Sequence, residues 1–178
     1  EIRTTPFHKM HVDAGAKMVP FAGYEMPVSY PLGIKKEHTH TRLRAGLFDV
    51  SHMGQIKLTG EDTMSALESL VPVDIVDLPL MKTRYALFTN KNGGVMDDLM
   101  VTNLGNNSLF LVVNAACKYA DYEHLKNQLG VNCAVEISED LALLALQGPK
   151  AVMVLSEYAP SIKEMTFMTA KQVLINDI

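Results

Sequence analysis

Residues 84–115 read RYALFTNKNGGVMDDLMVTNLGNNSLFLVVNA, and this stretch decides the fold. It contains apolar runs at 84–90, 95–103 and 108–115, separated by Asn-Gly-Gly and Gly-Asn-Asn, which are typical of tight turns. Short apolar runs joined by tight turns predict antiparallel strands in consecutive hairpins. The run at 108–115 is apolar on both faces, which predicts a strand in the middle of a sheet.

The sequence on either side of this stretch alternates between helical and strand patterns. Prolines at positions 6, 20, 27 and 31 predict an irregular segment over the first fifty residues. The order of elements predicts an α+β fold in which helices cover one face of mainly antiparallel sheets. The pattern predicts helices at 35–44, 61–71, 118–129 and 149–158, and further strands at 55–58, 134–138 and 141–146.

Composition excludes several classes of protein. The chain has 178 residues, 48% of them hydrophobic, and a net charge of −4, which suits a compact domain and not a disordered chain. This mild charge, without clusters of lysine and arginine, argues against nucleic acid as the main partner. No apolar run approaches the ~20 residues of a membrane helix, and no signal segment is recognisable. Two cysteines without a CxxC motif indicate a reducing compartment.

Motifs for nucleotides, zinc and triad catalysis are not supported. The glycines form neither GxGxxG nor GxxxxGK[ST], which argues against dinucleotide- and mononucleotide-binding folds. His38 and His40 cannot share one helix face, which argues against a zinc site. Asp49, Ser51 and His52 are too close in the chain to converge as a triad, so we expect Asp49 and Ser51 to bond the local backbone.

The adjacent carboxylates Asp97 and Asp98 are the first candidates for chemistry, because they lie inside the apolar run VMDDLMV. Successive strand residues point to opposite faces, so Asp97 shares a face with Leu99 and Asp98 shares the other with Met100. A carboxylate beside apolar neighbours loses hydration, and acid–base sites are made in this way. The alternative is a frayed strand end with both aspartates in water, the more common situation for charged residues. The pattern alone does not distinguish the two aspartates.

Five blocks of the sequence carry a family resemblance. They are GAKMVPFAGYEMP at 15–27, GLFDVSHMG at 46–54, NGGVMDDL at 92–99, VNAA at 113–116 and ALQGP at 145–149. In this order they closely resemble the aminomethyltransferase, or T-protein, family of the glycine cleavage system. The resemblance runs from about residue 5 to the last residue and covers the N-terminal half of the family pattern only. We therefore expect the chain to be part of a longer protein.

The resemblance implies a three-domain cloverleaf fold around a folate pocket, truncated in this chain. Within that fold we assign residues 1–53 to an irregular N-terminal segment of the first domain. We expect residues 54–140 to form an α+β, ferredoxin-like domain and residues 141–178 to return to the first domain, which is left incomplete.

The family activity implied is transfer of a one-carbon unit during glycine breakdown. The aminomethyl group on the lipoyl arm of a partner H-protein passes to tetrahydrofolate, giving 5,10-methylenetetrahydrofolate and free ammonia. The implied partners are the lipoylated H-protein and tetrahydrofolate, the latter as acceptor substrate, with no metal, nucleic acid or membrane. The implied compartment is the bacterial cytoplasm or, in a eukaryote, the mitochondrial matrix.

The resemblance also implies the site residues. The second aspartate of the DDL block, Asp98, is the catalytic position, where a carboxylate can orient the folate amine and stabilise a cationic iminium. Tyr85 and Val112 could instead belong to the core, and Asn114 could simply close a strand end. The positions that match the folate-lining residues are Met53, Tyr85, Met100, Val112 and Asn114.

Two alternatives share this fold. The folate-binding part of a dimethylglycine or sarcosine dehydrogenase would normally follow a dinucleotide-binding flavin domain, and residues 1–50 show no trace of one. A non-catalytic folate-binding helper of iron–sulfur cluster maintenance would be expected to lack the aspartates of the DDL block, which are present here.

Overall fold

The computed structural model describes residues 2–130 and 133–176. The α+β class with antiparallel sheets predicted from the sequence is confirmed. The strands are β1 Lys17–Phe21, β2 Tyr24–Ser29, β3 Gly46–Asp49, β4 Gly54–Thr59, β5 Thr83–Thr89, β6 Val95–Gly105, β7 Ser108–Val113, β8 Ala134–Ile137 and β9 Leu144–Gln147. The helices are α1 His8–Asp13, α2 Ile34–Leu43, α3 Thr63–Glu68, α4 Lys118–Leu129 and α5 Ala151–Tyr158, followed by a 3₁₀ helix at Pro160–Glu164.

The chain forms two compact units. Of the described residues, the first unit contains 2–52, 142–165 and 172–176, and the second contains 53–130, 133–141 and 166–171. The segment 166–171, which the sequence assigns to the first domain, packs in the second unit because its backbone pairs there. Lys82 bridges Thr169, and the Thr83 amide donates to the Met168 carbonyl at 2.9 Å.

The second unit is built on a five-stranded antiparallel sheet in the order β5-β6-β7-β4-β8. Strand β7 is its third strand, which confirms the predicted central position. Helices α3 and α4 cover one face, where Leu67 and Leu125 join the core. The largest fully buried side chains of that core include Phe88, Ile56, Leu58, Leu99, Leu109 and Leu111.

Both predicted hairpin turns are present. In the first, the Asn90 side chain accepts hydrogen bonds from the backbone amides of Asn92 (2.9 Å) and Gly94 (3.0 Å). In the second, Asn106 and Asn107 have φ values of 50° and 53°, a conformation that asparagine tolerates better than most residues. These turns hold β5, β6 and β7 in register.

The first unit is more regular than the sequence predicts. Strands β1 and β2 form a hairpin, and β3 pairs with β9. Pro20 and Pro27 lie inside the hairpin, although prolines predicted an irregular segment here. In a two-stranded sheet each strand is an edge, so a missing N–H need not cost a ladder hydrogen bond.

A buried carboxylate, Asp49, organises part of the first unit. Ser51 donates its backbone amide to Asp49 at 3.0 Å, as predicted, and Thr5 and His11 donate from distant segments at 2.5 and 2.9 Å. Burial would raise the pKa of Asp49, but hydrogen bonds from His11, Thr5 and Ser51 outweigh it and lower that pKa. The His11 ring also contacts the Tyr30 hydroxyl at 2.7 Å, so the network is internally satisfied.

Helix α4 matches the predicted helix at 118–129, and its first turn packs closely on the sheet at Gly54. A β-carbon at Gly54 would lie 2.5 Å from Val113 Cγ2 and 2.6 Å from Lys118 Cβ. Contacts this short require backbone or helix movement. The absence of a side chain at Gly54 therefore lets the start of α4 lie directly against the ends of β4 and β7.

We predict that Gly54→Ala destabilises the chain by about 1–3 kcal/mol, because the added methyl group overpacks this contact. Urea unfolding followed by circular dichroism measures the loss. The control is Gly93→Asn, because Gly93 has nothing within 4 Å of a β-carbon and a φ of 77° that asparagine tolerates. A loss for Gly54→Ala no larger than for the control would contradict the close approach.

Candidate active site

Strand β6 places Asp97 and Asp98 on opposite faces of the sheet, as the alternation predicts. Asp97 points to the helix-covered side with Leu99 and is 9% exposed. Asp98 is half-buried on the other side, with Met100. The two carboxylates therefore have different environments although they are neighbours in the chain.

The side chain of Asn114 joins the two carboxylates. Its Nδ2 donates to Asp97 Oδ1 at 2.9 Å and to Asp98 Oδ1 at 2.9 Å. The backbone amide of Asn114 also donates to Asp97 Oδ2 at 3.2 Å. Asn114 can do this because it follows the last residue of β7, Val113, which pairs with Leu99 of β6. Both oxygens of Asp97 are thus engaged, as is one oxygen of Asp98.

The open face around Asp98 carries apolar and aromatic side chains. Asp98 pairs with Leu87, and Met100 pairs with Tyr85 on one side and Val112 on the other. Tyr85 is 52% exposed, whereas Met100 and Val112 are half-buried. Paired residues share a face, so these strands form one continuous row beside Asp98.

Met53, the remaining position that the resemblance matched to a folate-lining residue, immediately precedes β4. The terminal pair of β4 and β7 is Gly54 with Val113, so Met53 and Asn114 are the next residues beyond it. The sheet therefore brings four of the five matched folate-lining positions to the Asp98 face or to the end of β7 and leaves Met53 adjacent in the backbone. Their role as folate contacts stays a prediction.

Electrostatics on the open face keep Tyr85 protonated. Loss of hydration and then the nearby Asp98 carboxylate raise the pKa of Tyr85. A protonated hydroxyl facing a carboxylate is a hydrogen-bond donor, so Tyr85 supplies Asp98 with a second polar neighbour. The Cys117 thiol also stays protonated, because burial and then the nearby carboxylates of Asp97 and Asp121 raise its pKa.

One residue of this cluster, Asp121, is missing from the sequence prediction. It is 2% exposed, and burial, followed by hydrogen bonding and repulsion with Asp97, raises its pKa to about 7. The signal was available in the helix pattern. Residues Lys118, Asp121, Leu125 and Leu129 recur at helical spacing and are all buried, so Asp121 is an acidic residue on the inward face.

Neither a metal centre nor a membrane-spanning helix is found among the residues that the structure describes. No group of three or more histidine, cysteine, aspartate or glutamate residues in 2–130 and 133–176 could hold a metal ion. No helix within the same residues is long and apolar enough to cross a bilayer.

The chemistry available at this site is that of a carboxylate on a partly apolar surface. Asp98 has lost part of its hydration, and Asn114 fixes its orientation. Such a group can accept a proton or a hydrogen bond from a ligand and can stabilise positive charge that develops on it. Asp97 cannot do the same because it is buried and both of its oxygens accept hydrogen bonds.

Comparison with known proteins identifies the family. Residues 7–178 match the family model described as the GCVT N-terminal domain. The chain belongs to this family. A mitochondrial aminomethyltransferase from Dictyostelium discoideum is 43% identical over 100% of this chain, and the human mitochondrial aminomethyltransferase is 42% identical over 95% of it. The resemblance stated from the five sequence blocks is confirmed.

A solved structure shows the same fold. The glycine cleavage system aminomethyltransferase T from Bartonella henselae superposes on this GCVT N-terminal domain with a TM-score of 0.91 and 41% identity, covering 95% of this chain. The chain spans less than half the length of these relatives: 46% of the Dictyostelium protein, 43% of the human protein and 47% of the Bartonella chain.

We predict that Asn114→Asp destabilises the chain by about 2 kcal/mol at neutral pH, because it removes the donors between Asp97 and Asp98 and adds a third carboxylate. Urea unfolding at pH 7 measures the loss. The control is Asn106→Asp, an equivalent exchange in an exposed turn, for which a change within ~0.5 kcal/mol is expected. Equal stability of the two variants would show that the bridge contributes nothing.

Proposed function

We propose that this GCVT N-terminal domain serves an aminomethyltransferase of the glycine cleavage system, which passes a one-carbon unit to tetrahydrofolate. The observation that carries the proposal is the Asp98 carboxylate, held by Asn114 at 2.9 Å beside Tyr85 and Met100 on the open face of the sheet. The aminomethyltransferase names of the relatives support the same activity class. They favour it over the dehydrogenase and iron–sulfur alternatives.

Asp98 has two tasks in the proposed reaction. The aminomethyl group arrives on the lipoyl sulfur of the H-protein, and its carbon becomes cationic as ammonia leaves. A fixed carboxylate close to that carbon stabilises the positive charge, and it does so more strongly on a partly dehydrated surface than in water. It also orients the folate nitrogen that attacks the carbon, because a carboxylate accepts a hydrogen bond from an N–H. In the complete reaction the carbon bonds to two folate nitrogens and its bonds to the amine nitrogen and to the lipoyl sulfur break. The two folate N–H protons pass to these leaving groups, which depart as ammonia and a lipoyl thiol.

The remaining matched positions form the proposed folate surface. Tyr85, Met100 and Val112 lie side by side across three strands and present one aromatic, one thioether and one branched side chain. Such a row suits a flat ring, since aromatic and methionine side chains adapt to planar ligands. Met53 lies next in the backbone beyond this row, and Asn114 supplies an amide for polar edges.

The proposed partners are the lipoylated H-protein, as donor of the aminomethyl group, and tetrahydrofolate, as acceptor substrate. The chemistry assigned to Asp98 needs no metal. The proposed compartment is the mitochondrial matrix in a eukaryote or the cytoplasm in a bacterium. The Dictyostelium and human relatives are named mitochondrial, whereas a cyanobacterial relative carries no such term.

We predict that Asp98→Asn lowers the turnover of aminomethyl transfer at least ~100-fold in a full-length enzyme that contains this sequence, because the neutral amide cannot stabilise the cationic carbon. The assay supplies aminomethyl-lipoyl H-protein and tetrahydrofolate and measures methylenetetrahydrofolate. The control is Asp62→Asn, an exposed aspartate remote in sequence from the cluster. Unchanged turnover in Asp98→Asn would reject the role assigned to this carboxylate.

We further expect the 178-residue chain alone to bind tetrahydrofolate more weakly than the full-length enzyme and to turn over little or no substrate. A folate surface that remains open to water weakens the electrostatic interactions on which binding depends. Isothermal titration of both proteins with tetrahydrofolate measures the difference. Equal dissociation constants would mean that the open face alone provides the whole binding site.

A further inference from the structure

Asp121 is a buried carboxyl group with an unsatisfied oxygen. Its side chain lies beneath the sheet on the inward face of α4, and its Oδ2 has no hydrogen-bond partner among residues 2–130 and 133–176. The Asp121 side chain lies within hydrogen-bond reach of the Asp97 carboxyl group, but a hydrogen bond between two carboxyl groups forms only if one of them carries a proton. A buried polar atom without a partner is costly, so the pair needs a proton between its oxygens.

The hydrogen bonds at Asp97 indicate which member of the pair carries the proton. Asp97 accepts from the backbone amide and from the side-chain amide of Asn114, at 3.2 and 2.9 Å. Two donated hydrogen bonds stabilise the ionised form of a carboxyl group. Asp121 Oδ2 has no donor among the described residues, and burial, followed by the contact with Asp97, raises the pKa of Asp121 to about 7. The proton therefore belongs to Asp121, which donates it to Asp97.

The other charged and titratable groups near Asp121 do not replace this proton. Cys117, at the start of α4, has a pKa raised by burial and by these aspartates. Lys118 is buried one turn away, with its amine 5.2 Å from the centre of the Tyr119 ring. Burial lowers the pKa of His124, in the next turn, so its ring tends to stay neutral. Strands β4, β7 and β8 present apolar side chains to the helix, such as Ile56, Leu111 and Val135.

We propose that Asp121 is a positioning residue: it shares one proton with Asp97, and this proton keeps Asn114 and Asp98 in the arrangement that the open face presents. The chain of contacts runs from Asp121 to Asp97, from Asp97 to Asn114 and from Asn114 to Asp98. Loss of the proton places two negative carboxylates against each other in the core, which pushes Asp97 away from Asn114. The statement about contacts is independent of the ligand, and only the effect on turnover rests on the proposed function.

The first test uses the chain without any ligand. Nuclear magnetic resonance follows the Asp121 carboxyl carbon and the Asn114 side-chain amide from pH 5 to 9. We expect Asp121 to titrate near its raised pKa of about 7 and the Asn114 amide signals to shift in the same step. Titration of Asp121 near ~4, its ordinary range, without a concerted shift of Asn114, would overturn the proposal.

Two substitutions at the same position separate the proton from the packing. Asp121→Asn keeps a permanent donor toward Asp97, so the Asn114 amide signals should match those of the wild type at pH 5 and lose the pH-dependent step. Asp121→Leu removes the donor, so these signals should shift and exchange faster at every pH. Glu123→Gln, an exposed carboxylate on the same helix, is the control and should behave as the wild type. Identical Asn114 signals in all variants would overturn the proposal. If Asp121→Leu does not fold, the titration of the wild type tests the proposal without it.

The second test connects Asp121 to turnover in the full-length enzyme. We expect Asp121→Leu to lower kcat at least ~tenfold with a smaller change in KM, since Asp98 is displaced without loss of the folate surface. Asp121→Asn should restore kcat at neutral pH and flatten its decline toward pH 9. Failure of Asp121→Asn to rescue would overturn the positioning role. If the wild type transfers no aminomethyl group, the proposed function fails, while the ligand-free titration still decides the role of Asp121.

Discussion

The side-chain amide of Asn114 donates hydrogen bonds to the carboxylates of both Asp97 and Asp98, two aspartates that are adjacent in one strand. Alternation sends Asp97 into the core side and Asp98 to the open face, so a single partner can reach both only from the end of a neighbouring strand. Asn114 occupies that place, directly after β7. Removal of its side-chain donors would take one hydrogen bond from the buried Asp97 and one from Asp98, and loss of a hydrogen bond to a buried charged group is unfavourable. The position of Asp98 on the open face is therefore coupled, through Asn114, to the hydrogen bonding of the buried Asp97 carboxylate.

The same region shows how backbone packing controls the electrostatics of the site. Gly54 allows the first turn of α4 to lie against the ends of β4 and β7. That approach brings Asp121 under β6, where it meets Asp97. A helix displaced outward would let water reach Asp121, and the pKa of this carboxyl group would then fall toward its ordinary range. The close packing at Gly54 is therefore one cause of the raised pKa of Asp121.

Sequence patterns predicted those parts of the fold that depend on neighbours in the chain. The hairpin turns, the central position of β7 and the bounds of α4 follow from turn residues and from apolar periodicity. The patterns failed where distant segments meet. Strands β1 and β2 form by pairing with each other in spite of Pro20 and Pro27. Asp49 accepts a hydrogen bond from His11, which lies 38 residues away in the sequence. The helix pattern did not predict a role for Asp121, because periodicity identifies apolar residues on the inward face. It does not show that an acidic residue there contacts Asp97 on strand β6.

The distinction between Asp97 and Asp98 shows what geometry adds to resemblance. The strand pattern leaves the two aspartates equivalent, and only the family motif singles out Asp98. The structure supplies a physical reason that does not depend on the family. Both oxygens of Asp97 accept hydrogen bonds from Asn114, and the residue is 9% exposed on the helix-covered side, so it is poorly placed to act on a ligand. Asp98 has one oxygen engaged and lies on the open face beside Tyr85, so a ligand that docks on this sheet meets Asp98 and not Asp97.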